Sequence, residues 1–82
     1  MVLVKRKQNE KEFENWTETP IGGRRYWFDV TGRNRGKARY VKEVDSSEIT
    51  IAFWQEIFDE YGTMIEIHEK FPIDKGHKKI IR

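Results

Sequence analysis

Four stretches of this chain are dense in aromatic and β-branched residues, and only short polar segments separate them. The stretches are Arg24 to Val30, Lys37 to Val44, Ile49 to Phe58 and Met64 to Phe71. The separators are Thr31-Gly-Arg-Asn-Arg-Gly36, Asp45-Ser-Ser-Glu48 and Asp59-Glu-Tyr-Gly62. Such side chains fit a pleated, half-buried surface, and Gly62 suits the left-handed position of a hairpin turn. Parallel pairing needs long crossovers, which these separators cannot supply. The pattern predicts an α+β or mainly β fold: a four-stranded antiparallel meander with a short N-terminal strand or helical segment. One small domain would span 1–82. Residues 1–23 would form a cover, 24–71 the meander and 72–82 a basic tail.

Within the cover, Val2 to Val4 read as a short strand. Asn9, with Glu12 three residues later, reads as a helix start, and Phe13 and Trp16 would share one face of that helix. Thr19-Pro20-Ile21-Gly22-Gly23 breaks the chain before the first meander strand.

Cross-strand chemistry proposes registers. Val30 opposite Ala38 sets Phe28 against Tyr40, Asp29 against Arg39 and Arg25 against Glu43. Val44 opposite Ile49 sets Tyr40 against Phe53 and Arg39 against Trp54. Phe58 opposite Met64 sets Ile57 against Ile65 and Trp54 against His68. Face one would then hold Tyr26, Phe28, Val30, Ala38, Tyr40, Val44, Ile49, Ile51, Phe53, Ile57, Ile65 and Ile67, closed by Leu3, Phe13 and Trp16. Face two would carry a transverse row, Asp29–Arg39–Trp54–His68, and is too apolar for ordinary solvated surface.

The chain has 82 residues, which allows one modest core. No Cys is present, which removes disulfides, thiolate metal sites and Cys nucleophiles. No long apolar run resembles a signal peptide or a membrane span, so a cytoplasmic protein is expected. Net charge is +2, unevenly spread: residues 24–42 hold seven Lys/Arg against Asp29, and residues 43–70 hold eight acids against Lys70. Either the basic block meets an anion or the two blocks pair across the sheet.

Arg24 to Tyr40 interleaves basic and aromatic residues, as binders of single-stranded nucleic acid do: cations meet phosphates and aromatic faces stack on bases. Arg25, Trp27, Arg33, Arg35, Lys37, Arg39 and Trp54, with the tail's Lys75, Lys78 and Lys79, are the candidate contacts. The bland alternative is that Arg25 and Arg39 pair with Glu43 and Asp29. His68 and His77 are the candidate proton-transfer pair, since imidazole changes charge near neutrality. The alternatives there are a cross-strand packing residue and an exposed tail residue. Two His nine residues apart form no recognised metal spacing, and no phosphate-binding loop or nucleophilic triad is present, so neither metal nor cofactor is expected.

Arg39-Tyr40, Phe58-Asp-Glu-Tyr-Gly-Thr-Met-Ile-Glu-Ile-His68 and Asp74-Lys-Gly-His-Lys78 together resemble the small TumE-type proteins, regarded as toxin halves of prokaryotic toxin–antitoxin pairs. The likeness covers the C-terminal half. Where that family has a further His after the one matched by His77, this chain has Lys78 and Lys79. The resemblance implies an RNA or nucleotide-linked target and a partner protein that masks the site.

Two functions remain at this point. One is RNA or nucleic-acid binding through face two and the basic loop, with toxin-like ribonuclease chemistry at the histidines. The other is a protein-interaction module or homodimer joined through Trp27, Val41, Trp54, Phe58 and Met64.

Overall fold

The structure, a computed structural model, describes residues 2–80. A helix α1 (Val2–Phe13) leads into six strands: β1 (Asn15–Glu18), β2 (Arg24–Thr31), β3 (Lys37–Val44), β4 (Thr50–Phe58), β5 (Met64–Phe71) and β6 (His77–Lys79). The strands lie in one antiparallel sheet in chain order. The mainly β class holds, with six strands where four were expected. The extra strands come from the two flanks: Trp16 lies in β1 opposite Tyr26, and the segment read as a basic tail supplies β6.

Val2 to Val4 are helical rather than extended. Nothing from Val2 to Phe13 is Gly or Pro, and Leu, Lys, Arg, Gln and Glu favour the helix enough to carry two valines. Asn9 lies inside the helix and does not cap it. The helix stops at Glu14, whose φ of 68° is left-handed and whose N–H still donates to Glu10 O at 3.0 Å.

The core is small and lies at one end of one sheet face, where α1 docks. Phe13, Tyr26 and Val44 are buried there, with Phe28 and Phe53 packed against them. This corrects the broader core expected on face one. Val30, Ile49, Ile51 and Ile65 are exposed, and Leu3 is 64% exposed rather than closing the sheet. Glu48, 3% exposed, is buried at the same end. Its carboxylate accepts from Tyr26 Oη at 2.7 Å, Asn9 Nδ2 at 3.1 Å and Arg6 Nε at 3.2 Å. Burial pushes this carboxyl up, but those hydrogen bonds and the Arg6 charge outweigh it, so it stays below its ordinary value.

The β2–β3 register is the expected one: Val30 meets Ala38, Phe28 meets Tyr40, Asp29 meets Arg39 and Arg25 meets Glu43. The β3–β4 register is displaced by one residue at Val44, which meets Thr50 rather than Ile49, and beyond a bulge there by two, so Tyr40 meets Gln55 and Arg39 meets Glu56. A shift of two preserves the faces. The β4–β5 pairing begins as expected, with Phe58 opposite Met64, but then shifts: Ile57 meets Glu66, Trp54 meets Glu69 and Phe53 meets Phe71. Ile65 and Lys70 are the extra residues of two β-bulges, and the segment between them is turned over relative to the expectation. His68 therefore shares a face with Tyr40 and the helix, and Ile67 shares a face with Trp54. We call these the helix face and the open face.

Candidate functional site

A row of side chains, one per strand, crosses the helix face: Phe28, Tyr40, Gln55, His68 and His77. Phe28 and Tyr40 stack with centroids 5.1 Å apart, and Gln55 Nε2 donates to Tyr40 Oη at 3.1 Å. Lys70, the second bulge residue, sets its ammonium 5.4 Å from the Tyr40 ring and 5.9 Å from the Phe53 ring. This row replaces Asp29–Arg39–Trp54–His68. On the open face the observed partners run Asp29–Arg39–Glu56–Ile67–Lys78.

His68 and His77 are register partners with ring centroids 4.4 Å apart. Each has its own carboxylate. Asp74 Oδ1 lies 2.6 Å from His68 Nε2, and Glu66 Oε1 lies 3.5 Å from His77 Nδ1. Asp74 is placed by a turn in which its Oδ1 accepts from Gly76 N–H at 2.9 Å, while Lys75 N–H donates to Glu69 O at 2.8 Å. The His68 hydrogen bond, aided by the Gly76 N–H, holds the Asp74 carboxyl below its ordinary value. An ionised Asp74 orients His68 by keeping a hydrogen on Nε2. A groove of about 910 Å³ adjoins His77, running from Arg33 and Asn34 past Gln55 and Ile57 to Glu66 and His77.

The cations expected to hold phosphate divide into two groups. Arg39 donates to Asp29 at 2.7 and 3.1 Å, Lys37 lies 3.4 Å from the same carboxylate, Arg25 lies 3.5 Å from Glu43, and Lys75 lies 2.9 Å from Glu69. The Arg39 bond lowers Asp29 and raises Arg39, fixing both charges. Arg25 also lies over the Trp54 ring at 5.7 Å, and Arg39 over Trp27 at 5.9 Å. Trp54 Nε1 donates to Glu56 at 2.8 Å. Among the described residues, Arg33, Arg35, Lys78 and Lys79 have no ion-pair partner.

Gln55, Glu66, Lys70 and Asp74 join the site without having been singled out. The Asp-Lys-Gly sequence before His77 is a turn signal that placed Asp74 for this role. Nothing in the strand pattern marked the other three. Among the described residues, no three His, Cys, Asp or Glu are grouped to hold a metal ion, and no helix is long and apolar enough to cross a membrane. No protein-family model, curated protein or solved structure matches this chain.

Proposed function

We propose that this chain binds single-stranded RNA along the groove of its helix face and cleaves the backbone by metal-independent acid–base chemistry at His68 and His77. The observation that carries this reading is the register pairing of two imidazoles, each beside a separate carboxylate. One imidazole takes the proton from a ribose 2′-hydroxyl as its oxygen bonds to the adjacent phosphorus. The other gives a proton to the departing 5′-oxygen as the P–O bond breaks. The products are a 2′,3′-cyclic phosphate and a 5′-hydroxyl end. His68, oriented by Asp74, and His77, beside Glu66, supply the two roles. Lys70 and Lys79, on the same face of the sheet, would meet negative charge at the phosphate, and Tyr40 would offer an aromatic face for a base. Arg33 and Arg35, uncommitted at the groove's far end, hold the strand. The likeness to TumE-type toxin components points to the same substrate class and to a masking partner.

The test is incubation with a labelled single-stranded RNA in the presence of a chelator, beside the same sequence as DNA. Cleavage of the RNA alone, leaving cyclic phosphate ends and lost in both His68→Ala and His77→Ala, supports the reading. Intact RNA across neutral and mildly acidic pH removes the catalytic part, and intact RNA without binding at low salt removes it altogether.

A further inference from the structure

The open face is the largest feature of the fold left unused, because α1 covers only the opposite side. Its centre is apolar: Trp27, Val41, Trp54, Phe58, Met64 and Ile67 lie on it together, with Val41 only 2% exposed beneath the two indoles. The molecule is also too open for its mass. Its accessible surface is 6030 Å², against about 5,200 Å² for a folded monomer of 9.9 kDa. Its radius of gyration is 13.7 Å, against about 11.7 Å for a compact chain of this length. The surplus over the whole molecule, about 800 Å², is similar in size to what each partner contributes to an interface of standard size.

Charge on this face divides across the strands. Arg25, Lys37 and Arg39 outnumber Asp29 and Glu43 on β2 and β3, whereas on β4 to β6 the acids Glu56 and Glu69 outnumber Lys78. A twofold axis running between β3 and β4, parallel to the strands, lays the basic half of one sheet over the acidic half of a second. The apolar centres then meet as the dry layer of a sandwich.

We propose that the open face is the interface of a homodimer formed by two copies of this chain, sheet against sheet. This is independent of the RNA reading, since His68 and His77 lie on the other side and stay accessible in the dimer; the groove reaches the open face only at Lys37 and Phe58. Sedimentation equilibrium of the full chain at micromolar concentration tests it. The expected mass is twice 9.9 kDa, falling to half in Ile67→Glu. In case that variant fails to fold, Glu69→Lys, an exposed change that costs only the surface pair with Lys75, should shift the equilibrium toward monomer and recover when paired with Arg25→Glu, since the axis lays β5 over the partner's β2. A monomer at every concentration overturns the proposal, as does a dimer that neither variant weakens. If the wild type is monomeric and Ile67→Glu abolishes RNA binding, the open face serves nucleic acid and the dimer is likewise overturned.

Discussion

His68 and His77 face each other from β5 and β6 with ring centroids 4.4 Å apart, and Asp74 and Glu66 approach them at 2.6 and 3.5 Å. Two imidazoles so placed act as a unit. Under the proposed chemistry, His68→Ala and His77→Ala should each lower the RNA cleavage rate by about 10²- to 10⁴-fold. The double variant should lose little more than either single one, and RNA affinity should change little. Single-turnover cleavage beside a binding titration separates the two effects.

Arg33 lines the groove's end and Arg35 lies two residues on; both are exposed and, among the described residues, have no acid partner. Arg33→Glu/Arg35→Glu should weaken RNA binding and flatten its salt dependence by about 1.4 in the log–log slope, the share of two phosphate contacts on a single strand. Arg25→Glu, which removes a cation already beside Glu43, should leave that slope nearly unchanged. Fluorescence titration across salt concentrations reads both.

Glu48 anchors Tyr26, Asn9 and Arg6 at once, from a position 3% exposed. Glu48→Gln should destabilise the fold by about 3 kcal/mol, because it removes the charge that those donors surround. The pH dependence follows from the depressed carboxyl. Its stabilisation is complete above the ordinary value of 4.5 and is lost as pH falls through the lower folded value. Urea unfolding of the wild type should weaken along that acid limb, and the variant's should be flatter there.

Phe13 is the residue through which α1 joins the sheet, 1% exposed between Tyr26 and Phe28 at centroid distances of 5.9 and 5.4 Å. Phe13→Ala should cost about 3–5 kcal/mol. Gly23 is as intolerant for a different reason: a Cβ there falls 1.9 Å from Val44 O. Gly23→Ala must therefore push β2 and β3 apart at the end nearest the core. Thermal unfolding followed by circular dichroism would show both losses.

The parts of this fold that were legible in the sequence are those set by local pairs. Asp29 facing Arg39 and Phe28 facing Tyr40 fixed one hairpin to the residue. The separators at Asp45 and Asp59 are turns as expected, and in each the Asp side chain accepts two backbone N–H bonds. Between β3 and β4 the residues in competing registers are similar enough, Phe53 or Gln55 against Tyr40, that side-chain chemistry could not choose. The two flanks were misread for another reason. Valines near the N-terminus carry β propensity, but helix formation there depends on docking Phe13, and β6 depends on the Asp74 turn, neither of which a local pattern contains. Both histidines were singled out in the sequence, but the side of the sheet on which they meet was not, since a bulge leaves no periodic trace when both alternatives, Ile65 and Ile67, are apolar.

The bulge at Ile65 therefore works as a parity bit for the chain that follows it. Were Ile65 instead to pair with Ile57, simple alternation would run from Met64 to His68 and send both imidazoles, still paired, to the opposite side beside Trp54. A sheet closed without that bulge would keep both proposed catalytic imidazoles, yet present them to the surface proposed to be sealed by its twin. Deleting Ile65, by contrast, would remove the bulge and leave His68 on its present side, opposite Gln55.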